Sequence, residues 1–209
     1  MEMFFRVSFF LAYGSFFLLR RHYVNPRKVE ETPSSLNEGI QEAVKNEGKL
    51  SVAFRGILSV GLITSLILYL VSPDWISNLS LPIPSSLRMF GLIGAVSSLP
   101  LLYFIHQELG KYWSPDLIIQ EDHQLVTTGV YHWVRHPMYS ALTVFMAGIS
   151  LLSANLIIIL PHALTLLSLY SRIEKEEKMM EKRFGEEYLK YEKHTGRLLP
   201  RIPLKLMSE

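Results

Sequence analysis

The sequence predicts an all-α, polytopic integral membrane protein with about five transmembrane helices, on three observations. First, 49% of its 209 residues are hydrophobic and mean hydropathy is positive. Second, four apolar stretches approach or exceed the roughly 20 residues that a bilayer-spanning helix requires. Third, the 21 basic and 19 acidic residues are concentrated between those stretches instead of being spread evenly.

The first stretch, Met3–Leu19 ("MFFRVSFFLAYGSFFLL"), is interrupted only by Arg6, near enough to one end to snorkel out of the hydrocarbon. Arg20 and Arg21 follow it directly, where a cleaved signal peptide would carry small residues, so a retained anchor is expected. Val52–Val71 and Leu87–Ile105 are the second and third. The fourth, Met138–Ser171, contains no Asp, Glu, Lys or Arg. As one straight helix it would be about 51 Å long at ~1.5 Å per residue, far beyond a ~30 Å hydrocarbon core.

Charge decides how that fourth stretch folds. The loop between the first two spans holds Arg20, Arg21, Arg27, Lys28, Lys45 and Lys49, whereas Ser72–Ser86 has no Lys or Arg. Basic loops stay cytoplasmic, which places the N-terminus outside and the loop after the third span inside. The tail from Arg172 onward carries ten basic residues and belongs inside too. Both ends of Met138–Ser171 then share one side, so it crosses an even number of times, as a hairpin turning near Ser153-Ala154-Asn155. Five spans result, with loop 107–137 and the C-terminus cytoplasmic. Residues 1–106 form a three-span N-terminal region and 107–209 a catalytic region of loop, hairpin and C-terminal helix. Pro33–Gly48 reads as a polar linker with a short surface helix and no evident chemistry.

Two soluble pieces hold the candidate chemistry. "TTGVYHWVRHPMYS" (127–140) leads into the hairpin, with Pro137 suited to the first turn of its helix. Tyr131, Trp133, Arg135 and Tyr139 suit an interfacial belt. Gly129 equally suits a tight turn that keeps a backbone clear for a ligand. After the hairpin, Ile173, Met180, Phe184, Tyr188 and Tyr191 draw one apolar stripe on an amphipathic helix, interrupted at Gly185. Arg172 and Glu176 are i, i+4 neighbours that can simply pair. They also stand beside Glu174 and Glu177 at the membrane boundary, where charge is costly unless paired or functional. Opposite charges next to His136 and Tyr139, with apolar walls, suit a zwitterionic ligand facing a lipid-soluble one.

Other chemistries are disfavoured. A net charge of +2 argues against nucleic acid as a partner. The absence of Cys removes disulfides and thiolate ligands, and the His spacing fits no metal site. His123 is a candidate base; His22, His106, His162 and His194 read as structural or surface residues.

"HQLVTTGVYHWVRHPMYSAL", the uncharged hairpin and "RIEKEEKMMEKRFGEEYLKYEKHTGRLLP" together resemble the isoprenylcysteine carboxyl methyltransferase family and its phospholipid methyltransferase relatives, over roughly Gln107–Pro203. The resemblance implies an integral membrane enzyme that transfers a methyl group from S-adenosyl-L-methionine to a lipidic or prenylated acceptor, most like isoprenylcysteine carboxyl O-methylation. It implies a cofactor pocket of His123, Gln124, Leu125, Val126, Tyr131, Arg135, His136, Tyr139 and Glu176. Arg172 stands where the family has a basic residue near the acceptor carboxylate, and Arg172, Glu176 and His136 form the implied catalytic set. Gln120 corresponds to an upstream cofactor-contacting Gln, at shorter spacing. A phospholipid amine or small thiol acceptor is the alternative within this chemistry. Membrane steroid reductases, which use NADPH, carry a similar "RHPxY" loop, and a non-enzymatic membrane scaffold is the third reading.

Overall fold

The computed structural model describes residues 1–23, 36–72, 74–112 and 123–201. The described chain forms α1 (Glu2–Tyr23), α2 (Leu36–Glu47), α3 (Lys49–Val71), α4 (Ser85–Leu109), α5 (Pro137–Ser153), α6 (Leu156–Phe184) and α7 (Glu186–His194), with short 3-10 turns between some of them. Four of these helices, α1, α3, α4 and α6, are long and apolar enough to cross a bilayer, and α5 is a shorter apolar helix of 17 residues. Side chains such as Ile57, Val60, Ile63 and Ile67 on α3 stay exposed, as a lipid-facing helix requires.

The expected hairpin is present. Ala154 takes a left-handed conformation at φ 49° and ends α5, while the Asn155 side chain caps α6 by accepting from the Ile157 amide at 3.0 Å. Asn155 Nδ2 also donates to the Ile76 carbonyl at 3.0 Å, tying the turn to the segment between α3 and α4. Only the first part of α6, residues 156–171, belongs to the apolar run. The helix continues without a break to Phe184, because the polar residues after Arg172 are good helix formers and Gly185, at φ 55°, is the first residue that stops it. The C-terminal stripe read from the sequence is therefore divided between the end of α6 and α7.

Ion pairs identify which helix ends lie together. Arg88, at the start of α4, donates to the Glu2 carboxylate at 2.6 and 3.0 Å and to the Leu152 carbonyl at 2.9 Å. Arg6 does not reach into water as expected. It caps the last turn of α3, donating to the Tyr69 carbonyl at 2.5 Å and to Ser72 Oγ at 2.9 Å, where a cation meets the negative end of the helix dipole. One end of the bundle thus collects the starts of α1 and α4, the end of α3 and the α5–α6 turn. The opposite end collects the end of α1, α2, the end of α4, the start of α5 and the charged half of α6. That arrangement has the alternation five spans require.

The bundle is closed by small residues and rings. α4 and α5 approach so closely that a Cβ on Gly148 would lie 2.5 Å from the Gly91 carbonyl oxygen and 2.7 Å from the Ala95 amide. Phe16 stacks on Phe145 at 4.4 Å, and Tyr13 shares a 2.9 Å hydrogen bond with buried His162, satisfying polar atoms that lipid could not. Overpacking at the α4–α5 contact should destabilise the bundle. Gly148→Leu is expected to cost about 1–3 kcal/mol, seen as a lower melting temperature in detergent. Gly14→Leu, at a position where a Cβ would meet nothing within 4 Å, should melt as the parent does.

Candidate active site

The site lies at the end of the bundle where α5 begins and α6 leaves the apolar layer. Residues 123–127 lead toward it without regular secondary structure, Gly129–His132 makes one 3-10 turn, and Val134–His136 then pairs with the tail beyond α7. The Arg135 amide donates to the Gly196 carbonyl at 2.8 Å, the His136 amide to the Arg197 carbonyl at 3.0 Å, and the Gly196 amide to the Trp133 carbonyl at 3.1 Å. Gly196 is required here, since a Cβ would collide with the Leu199 carbonyl oxygen. Pro137 then opens α5 in the position expected of it.

Arg135 is the hub of this junction. Its guanidinium donates to Glu177 Oε1 from Nε at 3.2 Å and from Nη2 at 3.1 Å, to Glu192 Oε1 at 3.2 Å, and to the carbonyls of Glu192 and Thr195 at 3.1 and 2.7 Å. Glu177 also meets His136 Nε2 at 3.1 Å and Arg197 at 2.7 Å. Burial alone would raise the Glu177 carboxyl, but the hydrogen bond from His136 and the charges of His136, Arg135 and Arg197 bring it down to about 2. A carboxyl lowered on folding stabilises the native state fully above its ordinary value of 4.5, and that contribution is withdrawn as pH falls toward 2.

One residue earlier on α6, Glu176 faces the start of α5. Tyr139 donates its hydroxyl to Glu176 Oε2 at 2.8 Å, and His136 Nδ1 lies 3.7 Å from the same oxygen. Arg172 does not pair with Glu176. Its Nε lies 3.3 Å from Glu47 Oε2, a carboxylate contributed by α2.

These groups line a cavity of about 180 Å³ that brings together residues far apart in the chain. Of the residues expected in the pocket, His123, Leu125, Val126, Tyr131, Arg135, His136, Tyr139 and Glu176 line it, as does Arg172. Gln124 is exposed and does not. Gln120 lies outside the described residues. Of the four belt candidates only Trp133 is exposed, at 62%; Tyr131 is buried and Arg135 and Tyr139 face inward. The space beside Gly129 is also not left for a ligand: Glu108 fills it, with its Oε2 accepting from Thr128 Oγ1 at 3.0 Å.

Several lining residues carried no signal in the sequence. Arg20 from the end of α1, Leu109 and Tyr112 at the end of α4, and Leu142 and Leu169 on the hairpin complete the wall. Met180, Tyr188 and Tyr191, read as an apolar stripe, close the side toward α7, and the Tyr191 hydroxyl donates to the Tyr131 carbonyl at 2.6 Å. The cavity thus combines a carboxylate, aromatic rings, guanidinium groups and apolar side chains from the membrane-embedded helices.

Removing the hub should loosen the junction. Arg135→Ala is expected to cost about 1–3 kcal/mol by leaving the Glu192 and Thr195 carbonyls without their donor, while Glu177 keeps His136 and Arg197. Thermal unfolding in detergent measures the loss, and faster amide exchange over residues 195–198 would locate it.

Residues 90–182 match the isoprenylcysteine carboxyl methyltransferase (ICMT) family. The human protein-S-isoprenylcysteine O-methyltransferase is 40% identical over 83 residues, 39% of this chain and 29% of that protein. The Schizosaccharomyces pombe protein of the same name is 37% identical over 84 residues, 40% of this chain and 36% of the relative. The Arabidopsis thaliana protein-S-isoprenylcysteine O-methyltransferase B is 31% identical over 121 residues, 56% of this chain and 55% of the relative. These matches span about a third to a half of the relatives' own length. In three dimensions the chain is similar to the eukaryotic intramembrane Ras methyltransferase ICMT, with a TM-score of 0.54 at 18% identity, over 94% of this chain and 85% of that one. The segment 90–182, which carries His136, Tyr139, Arg172 and Glu176, is thus the part of the chain that is similar to the isoprenylcysteine carboxyl methyltransferase family, and the chain's fold is similar to that of a solved ICMT.

Proposed function

We propose that the protein transfers a methyl group from S-adenosylmethionine to a lipidic acceptor, most like the carboxylate of a prenylated cysteine. The observation that carries this reading is the cavity in which Tyr139 and His136 from the start of α5 meet Glu176 and Arg172 from α6, within the segment that matches the family.

The donor set fits such a cofactor. Glu176 with the rings of Tyr131, Tyr139, Tyr188 and Tyr191 suits a cationic group, by charge and by the negative faces of the rings. Leu125, Val126 and Met180 suit a flat apolar ring system, and the peptide groups of segment 123–127 are not consumed by a helix. When bound, the cofactor supplies a sulfonium-activated methyl group that a carboxylate oxygen takes in line.

A carboxylate acceptor arrives ionised, so the residues need to remove no proton. Their work is orientation and the exclusion of water, an effect worth up to about 7–11 kcal/mol in favourable cases. Glu176 holds the cofactor's positive end and Tyr139 fixes the rotamer of Glu176. His136 and Arg135 hold the loop in place through Glu177. Arg172 holds the acceptor's carboxylate, and Leu142 and Leu169 give its hydrocarbon tail a path from the bilayer.

The protein is a multi-pass membrane protein, and we place the site end of the bundle in the cytoplasm, because Arg20, Arg21, Lys45 and Lys49 gather there. A reporter fused after Glu209 should read as cytoplasmic; an extracytoplasmic reading would overturn that orientation. The function is tested with the purified protein in detergent. It should bind S-adenosylhomocysteine and not NADPH, and it should transfer labelled methyl groups to a farnesylcysteine analogue. Glu176→Ala and His136→Ala should each weaken S-adenosylhomocysteine binding by about tenfold or more, as loss of a charge-assisted contact implies, with the protein still inserted. Unchanged affinity in both variants would refute the site assignment.

A further inference from the structure

Glu47 is the last residue of α2, in a half of the chain outside the family match, and its side chain is fully buried. Its Oε1 lies 2.9 Å from Arg55 Nη1 on α3 and its Oε2 lies 3.3 Å from Arg172 Nε on α6. Its backbone carbonyl accepts from Lys175 Nζ at 2.6 Å. Gly48, at φ 91°, turns the chain straight from α2 into α3, so Glu47 is fixed at the corner between a surface helix and a span. A carboxylate removed from water is retained only with strong partners, and here it has two guanidinium groups and an ammonium on its own peptide.

The consequence falls on Arg172. Arg172 lines the cavity, yet its Nε lies within ion-pair distance, without hydrogen-bond geometry, of a residue that does not line it. The ion pair lets Glu47 orient Arg172 from outside the cavity that Arg172 lines. A guanidinium presents its donors in a rigid fork, so fixing the Nε edge fixes where the rest of the fork points. Without Glu47, Arg55 and Arg172 would repel each other across the same small space.

We propose that Glu47 is a positioning residue that aims Arg172 at the carboxylate of the lipidic acceptor, so that α2 sets acceptor affinity; this rests on the function proposed above. In the reading above Arg172 serves the acceptor, and Glu176, His136 and Tyr139 serve the cofactor, so the contact is assigned to acceptor recognition.

The test uses the full chain in detergent and equilibrium binding of two probes, farnesylcysteine with a free carboxylate and the matching farnesylcysteine amide. The parent should prefer the carboxylate. Glu47→Gln should weaken carboxylate binding by about tenfold, the size of one lost charge-assisted hydrogen bond, and leave amide binding and S-adenosylhomocysteine affinity within about twofold. Glu47→Asp, which keeps the charge, should retain most of the preference. In an Arg172→Gln background, Glu47→Gln should add less than about twofold, as expected when two residues act through one contact. In turnover, the acceptor KM should rise with kcat little changed. The proposal is overturned if the parent shows no carboxylate preference, if Glu47→Gln leaves carboxylate binding unchanged or tightens it, if the Asp and Gln variants behave alike, or if the loss is equally large without Arg172. A parent that fails to bind S-adenosylhomocysteine would refute the methyltransferase reading, while the two-probe comparison would still decide the role of Glu47.

Discussion

The structure depends on a length mismatch between one uncharged run and the membrane. Met138–Ser171 is too long to cross once and carries no charge that could leave the hydrocarbon midway. It closes at Ala154 and Asn155, where a left-handed residue and a side-chain cap satisfy backbone groups that lipid would leave unpaired. Folding back has a chemical consequence. The residues just before α5 and those just after the apolar part of α6 are returned to the same end of the bundle, which is how Tyr139 reaches Glu176 across thirty-seven positions of sequence.

The hairpin brings these groups near, and a charge network then fixes them. Arg135 binds the middle of α6, the end of α7 and the tail at once, so a loop, two helices and a terminal strap form one junction. Most of its partners are acceptors that cannot be left bare in a semi-buried place. The junction is therefore stable only when complete, and its completion leaves Glu176, with a partly exposed carboxylate and a fixed Tyr139, facing the cavity. The adjacent acids differ as a result: Glu177 is taken up by the junction, while Glu176 lines the cavity.

The N-terminal spans are more than a scaffold for this end. α1 supplies Arg20, α4 supplies Leu109, and α2 reaches the back of Arg172 through Glu47. The close α4–α5 approach at Gly91 and Gly148 packs the two regions against each other, and α4 runs through residue 106 to Leu109. At the opposite end, Arg6 and Arg88 act as caps and ion-pair partners, which makes charges inside apolar stretches part of helix packing.

Hydropathy and charge bias were enough to read the spans, the hairpin and its turn, since burial in lipid acts on every residue of a stretch and leaves a signal in composition. The "RHPMY" and "EKEEK" elements were legible as a joint site because short-range patterning places each at a membrane boundary, and parity of crossings places both on one side. Which partner each charge takes was not legible. Arg172 and Glu176 stand one turn apart and could pair, yet each bonds elsewhere, because the position of Glu47 and Tyr139 is set by packing between distant helices. Gly129 was read as clearing space for a ligand, and Glu108 fills that space from another helix. Side-chain partnership in this protein is decided at distances of roughly 3 Å between elements separated by tens of residues, and no local pattern encodes that; only the tertiary structure does.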